Sequence, residues 1–265
     1  MGRGKTAELA ERLAASVLAG RPSYARPPVD VEGLARELGV ESIANARMLE
    51  DGRLEQRGGH TWMVIREDVW PTRRRFTVAH ELGHLLLADA SQEFVARRTL
   101  QGADREERFC DAFAASLLMP RAWVLERFRG EPEALGTAKA LAESSRASLA
   151  ASVLRLRELL DWNSSLLHWR RSERGWQLSS TAGLPRGVRV TSAKTTSLVL
   201  DQIGSSPADA TAEIPLAVAG RPTQASMEIS VRGRSAIALA ALNCFESSRD
   251  RDPLLARLEH ARWGL

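Results

Sequence analysis

Apolar residues first recur at helical spacing between residues 5 and 19, where Ala7, Leu9, Leu13, Val17 and Leu18 fall mostly on one side. The proline-rich segment 21–28 breaks that pattern. Asp30 then predicts an N-cap, Leu34 and Leu38 an apolar face, and Gly39 a C-cap. From Glu41 to Arg66 the pattern favours strands, with Gly58-Gly59 as a turn and Thr61–Arg66 as the clearest run. Pro71-Thr72 opens a long helix to about Ala88. A second strong helix starts near Asp104 and stops at Met119-Pro120, because proline cannot continue a helix interior. Shorter helices are expected from Ala122 to about Arg129, from about Glu133 to Ala142 and from about Ser148 to Asp161.

After Trp162 the character changes. Gly, Ser, Thr and Pro become frequent, and β-like runs occur at 165–169, 188–191, 195–200, 212–218 and 225–231. The predicted fold class is therefore α+β. Residues 1–130 form a mostly helical domain with a small sheet, 131–161 a helix-turn-helix-like module, and 162–265 a β-rich domain. The sequence contains no internal repeat.

Composition narrows the classes without choosing among them. Of 265 residues, 44% are apolar, which suits a globular protein with a sizeable core. The formal charge is only +4, an excess that permits nucleic-acid contact without requiring it. Two distant cysteines, Cys110 and Cys244, cannot build a disulfide framework and suit a reducing compartment. Glu8, Glu11 and Arg12 interrupt the N-terminal apolar residues, so no signal-peptide core forms, and no run approaches a membrane span. The expected location is the cytoplasm.

The chemistry concentrates in His80-Glu81-Leu82-Gly83-His84. On a helix, residues four apart share a face, so His80 and His84 can address one ion. Catalytic zinc takes about three protein ligands and leaves a place for water. Glu81 can reach that water as a base without ligating the metal, then pass the proton to a leaving amine. Glycine inside a helix costs roughly 1 kcal/mol, so Gly83 calls for a close packing partner. The third ligand is expected on the next helix. Glu107 and Asp111 lie four apart there; Glu107 is the expected ligand, and Asp111 the carboxylate that holds a histidine's distal N–H. Glu106 competes with Glu107, being adjacent and chemically the same. Zinc is the expected metal, although manganese or iron suits such ligands too. The strand Thr61–Arg66 is either a core strand or a sheet edge able to pair with an extended peptide. An oxyanion donor would complete the site, and Tyr24, His60 and Arg66 are candidates that spacing does not place.

Residues 76–84 (PheThrValAlaHisGluLeuGlyHis) followed by 107–120 (GluArgPheCysAspAlaPheAlaAlaSerLeuLeuMetPro) resemble the ImmA/IrrE-type metallopeptidases, and the helix at 30–38 ending in Leu-Gly-Val fits their opening. The resemblance spans about residues 5 to 160. It implies a zincin-like catalytic domain in which Glu107, opening the second motif, is the third zinc ligand. The family often has Ala-Asn where this chain has Cys110-Asp111, while the wider thermolysin-like group uses an aspartate there. The resemblance also implies a substrate: a helix-turn-helix repressor, whose cleavage releases stress, DNA-damage or mobile-element genes.

Leu141-Ala142-Glu143, Ser148, Ala151 and Arg155-Leu156 match a helix-turn-helix with a serine-capped second helix, and Arg146, Arg155 and Arg157 add positive charge. The exposed early positions of that helix, Leu149, Ala150, Ala151 and Ser152, offer little to base edges. A packing or repressor-docking module is expected rather than sequence-specific DNA binding. In the β-rich domain Trp162, Trp169 and Trp176 are expected in the core or in hairpins, and Cys244 is expected to be a small buried residue. Some members of the resembled family carry a GAF-type sensor at this place, which implies a sensory or substrate-docking role.

Overall fold

The computed structural model describes residues 3–88, 103–184, 188–192, 195–205, 209–218 and 221–240. Cys244 lies outside them. The chain divides into two compact units, Met1–Gly130 with Ala140–Arg155, and Glu131–Lys139 with Leu156–Leu265.

The first unit begins with α1 (Arg3–Leu18) and α2 (Val31–Glu37). Asp30 caps α2 by accepting from the Gly33 N–H at 3.0 Å, and Gly39 follows it at φ +95°, the left-handed conformation that glycine supplies without strain. Three strands form the sheet: β1 (Val40–Ala46), β2 (Gly52–Arg57) and β3 (His60–Arg66). Their order is β1-β3-β2, with β1 parallel and β2 antiparallel to β3. Gly58 and Gly59, both at positive φ, close the β2–β3 hairpin. The strand expected as either core or edge, Thr61–Arg66, is thus the central one, and β2 takes the open edge.

Two helices carry the core of this unit. α3 (Pro71–Ala88) buries Val78, Ala79, Leu82 and Leu86, and α4 (Ala103–Leu118) buries Phe109, Phe113, Ala114 and Leu117. α5 (Arg121–Phe128) follows directly after Pro120. The helices α6 (Leu135–Ser145) and α7 (Leu149–Leu160) form the expected helical pair, and Ser148 Oγ accepts from the Ala151 N–H at 3.2 Å. The unit boundary runs through both helices, so residues 131–161 are shared between the units. Arg155, expected to offer positive charge at the surface, has a side chain only 1% exposed. It reaches Glu11 on α1 through Nη1 and Nη2 at 2.7 and 2.9 Å and donates from Nε to the Met119 carbonyl at 3.0 Å. Ser116 Oγ donates to the same Glu11 carboxylate at 3.1 Å.

The second unit holds a six-stranded antiparallel sheet. Its strands are β4 (Ser165–Ser172), β5 (Gly175–Ala182), β6 (Val190–Ser192), β7 (Ala210–Val218), β8 (Arg221–Arg232) and β9 (Ser235–Ala240), in the order β5-β4-β9-β8-β7-β6. Trp169 and Trp176 lie in its core with Leu167, Ile214, Leu216 and Met227, and Trp162 is also buried. The expected strand at 195–200 is instead helix α8 (Thr196–Gly204). Val199, Leu200 and Ile203 bring helical spacing to the core, and this outweighs the strand-like composition of the segment.

The Glu11–Arg155 pair makes a stability test. Removing one partner of a buried ion pair strands the other's charge, at a cost of about 3 kcal/mol. Glu11→Ala is expected to lower the unfolding free energy of the first unit by about that amount in urea denaturation. An unchanged midpoint would show the pair to be dispensable.

Candidate metal centre

His80 and His84 lie one turn apart on α3, and their Nε2 atoms face each other at 3.1 Å. Glu107 on α4 turns its carboxylate to both, with Oε2 at 3.3 Å from His80 Nε2 and Oε1 at 3.4 Å from His84 Nε2. The distal nitrogens point the other way. His80 Nδ1 sits 3.0 Å from Asp111 Oδ1, and His84 Nδ1 sits 3.1 Å from Glu106 Oε1. The structure therefore brings together every residue expected at the site, and it separates the two competing glutamates: Glu107 faces the Nε2 atoms and Glu106 backs His84.

These contacts suit a cation when both rings are neutral. An ionised carboxylate only accepts, so each Nδ1 facing one carries the ring proton and each neutral ring presents an Nε2 lone pair. Two lone pairs and a carboxylate then converge with no donor among them. Two nitrogens each about 2.0–2.1 Å from a tetrahedral ion would be about 3.3 Å apart, near the spacing found. The residues present fit a metal ion held by His80, His84 and Glu107.

Cys110 is the competing donor, with Sγ within 4.8 Å of ring nitrogens of both histidines. Burial pushes its thiol far above the usual range, and the carboxylates of Glu106, Glu107, Glu81 and Asp111 push it further. The thiolate is the ligand form, so without a metal this sulfur is held in its non-ligating state. Cys110 instead packs on Gly83: a Cβ there would meet Cys110 Cα and Sγ at 3.1 Å. This is the close approach that the helical glycine called for.

Glu81 is 7% exposed, and burial raises its pKa, against the opposing pull of His84 and His80. A carboxylate moved up toward neutrality is better matched to taking and returning a proton. For His80, burial opposes the charged form, but Asp111, Glu81 and Glu107 outweigh it and the pKa lies above 6.5. Both residues open on a cleft of about 740 Å³ that Glu107, Asp111 and the start of β2 also line.

Sequence reasoning missed Gly52. It opens β2 against α3, where an added Cβ would lie 2.4 Å from Thr77 Cγ2 and 3.0 Å from Glu81 Oε1. The three oxyanion candidates are occupied elsewhere. The Tyr24 hydroxyl donates to Glu37 at 2.7 Å, His60 contacts Glu41, and Arg66 pairs with Asp51 and Asp68. None is among the described residues lining the cleft.

The phase of the β2 ladder follows from one bond. The Arg66 N–H donates to the Asp51 carbonyl at 3.0 Å, which makes 51 and 66 a hydrogen-bonded pair. Antiparallel pairs alternate, so 53/64, 55/62 and 57/60 are bonded as well. Gly52, Leu54 and Gln56 consequently turn their N–H and C=O groups to the open edge.

Part of the chain matches known proteins. Residues 35–157 match the family profile of the IrrE N-terminal-like domain. That segment is similar to the ImmA/IrrE metallopeptidases. The radiation response metalloprotease IrrE of Deinococcus radiodurans is 36% identical over 104 residues, which cover 35% of this chain and 29% of that protein. The match thus spans less than a third of the relative's length. A solved transcriptional regulator from Mycobacterium tuberculosis superposes with a TM-score of 0.48 at 12% identity, over 89% of this chain and 76% of its own. Within the IrrE-like segment lie α3, α4 and all residues of the centre. Among the described residues no helix is long and apolar enough to cross a membrane.

Gly52→Ala is expected to destabilise the chain by about 1–3 kcal/mol, the usual cost of overpacking. Thr77→Ser removes the methyl that the new Cβ strikes, so the double variant should recover part of the loss. A double-mutant cycle in urea with no coupling would show that the strand simply moves away.

Proposed function

We propose that the chain is a zinc-dependent endopeptidase that cleaves a helix-turn-helix transcriptional repressor and so relieves repression of stress-response or mobile-element genes. The observation that carries the reading is the convergence of both Nε2 atoms and Glu107 beside a buried Glu81, under an open strand edge. His80, His84 and Glu107 would hold the metal. Zinc there supplies Lewis acidity, which polarises a carbonyl and makes water a better nucleophile at neutral pH. Glu81 takes the proton from the attacking water and delivers it to the amine that leaves. Asp111 and Glu106 hold the imidazoles in the tautomer that turns Nε2 inward.

Substrate enters extended along β2, pairing with the outward groups of Gly52, Leu54 and Gln56, which face no other strand among the described residues. Gly52 lets β2 itself lie close over Thr77 and Glu81, so a chain paired on its edge starts beside the centre. The choice of a repressor rests on the resemblance to the ImmA/IrrE family, and the radiation-response name of the Deinococcus relative supports a stress setting. A DNA-binding regulator with a non-catalytic metal site is the other reading. It is weakened by Arg155, whose charge is spent on Glu11 inside the first unit.

Incubation of the full chain and zinc with a helix-turn-helix repressor encoded beside its gene is expected to give one discrete cut. Glu81→Gln should slow that cut at least about hundredfold while zinc stays bound. Equal cleavage by the variant would remove Glu81 from the mechanism. The edge has its own test. Leu54→Pro deletes an outward N–H but no bond to β3, so it should raise KM several-fold with the fold intact, more than Leu54→Ala does. Glu55→Pro, which takes a ladder bond, should destabilise the sheet instead. Equal KM values for Leu54→Pro and Leu54→Ala would argue against strand pairing.

A further inference from the structure

Leu49 is 97% exposed, yet it lines the same cleft as His80 and Glu81. Such exposure of a large apolar side chain forgoes the stabilisation that burial would give. The loop around it is nevertheless held firmly. Arg47 Nε contacts Glu67 at 2.6 Å, and Arg66 donates to the Leu49 carbonyl at 3.3 Å. Arg66 Nη1 also meets Asp51 Oδ1 at 3.0 Å, and Arg73 on α3 grips the other oxygen of Asp51. The backbone on both sides of Leu49 is tied down while its side chain is left in water. That is the arrangement of a preorganised contact residue, which gives up little freedom when a partner covers it.

Its position says what the partner is. Gly52 lies over Glu81 and so marks the reacting centre on the strand edge. Leu54 and Gln56 extend from that point in one direction, and Leu49 lies in the other, three residues before Gly52. An extended chain seated on the edge with its scissile bond near Glu81 would have Leu54 on one flank, and beyond Gly52 on the other the part of the cleft that Leu49 lines.

We propose that Leu49 selects substrate by packing against an apolar side chain on the flank of the scissile bond opposite the one paired with Leu54. The inference rests on the peptidase reading above, and it adds a recognition residue that the metal chemistry does not require.

The test is a cleavage-site profile. The full chain with zinc is incubated with a mixed-sequence peptide library, and the cut bonds are mapped by mass spectrometry for wild type, Leu49→Asp, Leu49→Ser and Leu54→Pro. Wild type should favour an apolar residue at one position on one flank. Leu49→Asp should cut that preference about tenfold, the scale of one lost apolar contact, and Leu49→Ser should act in the same direction. The other flank and the melting temperature should not change, since the side chain supports nothing in the fold. Leu54→Pro should disturb the opposite flank. A profile identical in wild type and Leu49→Asp would overturn the inference alone. A wild-type chain that cuts neither the library nor the repressor would overturn the peptidase reading and this inference with it, and one that cuts the repressor but no library peptide would overturn this inference alone. A dimer that Leu49→Asp dissociates without altering the profile would make Leu49 an interface between copies and overturn its recognition role.

Discussion

The approach of Gly83 to Cys110 sets the spacing of the two helices on which all the candidate metal-site residues lie. Glu106, Glu107 and Asp111 sit within one turn of Cys110 on α4, and His80 and His84 flank Gly83 on α3. An added carbon there would meet Cys110 Cα and Sγ at 3.1 Å, so Cys110, on the helix that carries the three carboxylates, would have to give by a few tenths of an ångström. A glycine in mid-helix costs roughly 1 kcal/mol relative to alanine. That cost is tolerable when it brings Glu107 to 3.3 and 3.4 Å from two nitrogens on another helix.

The helices that carry the site were legible because period and punctuation agree. Proline opens α3 and stops α4, and the apolar residues between recur at 3.6. Spacing along one helix fixed the pair His80 and His84. It could not separate Glu106 from Glu107, which point about 100° apart around α4, because that depends on where α3 lies. Gly52 sits in a polar stretch with no period of its own, and its use emerges only where β2 meets Thr77 and Glu81. The sheet order was hidden for a similar reason. A parallel β1 inserts β3 between itself and β2, and no local signal reports such a crossover.

Elsewhere composition misled. Ser235–Ala240 is rich in alanine, a poor strand former, but it lies between β4 and β8 with nearly every residue buried. Burial on both faces selects small apolar residues there, and packing overrides propensity. Arg155 is the converse case. A residue type that normally stays at the surface is wholly buried because its partner Glu11 lies 144 positions away in sequence. Only the tertiary approach of α1 to α7 could reveal that pairing.

The electrostatics of the centre act in opposite senses on the buried cysteine and on the histidines beside it. Glu81, Glu106, Glu107 and Asp111 surround two imidazoles, and the resulting negative field acts differently on each neighbour. It raises the pKa of His80 by favouring a positive charge on the ring. It makes ionisation of Cys110 harder, on top of burial, and so keeps the sulfur a packing atom. Glu81 feels burial most, with the two histidines pulling the other way, and its carboxyl moves toward neutrality without losing its partners. A field that favours a proton on His80 would also favour a divalent cation held by His80, His84 and Glu107, since a doubly charged ion interacts more strongly with the same carboxylates. The same carboxylates thus shift His80, Glu81 and Cys110 together, each according to its own charge and burial.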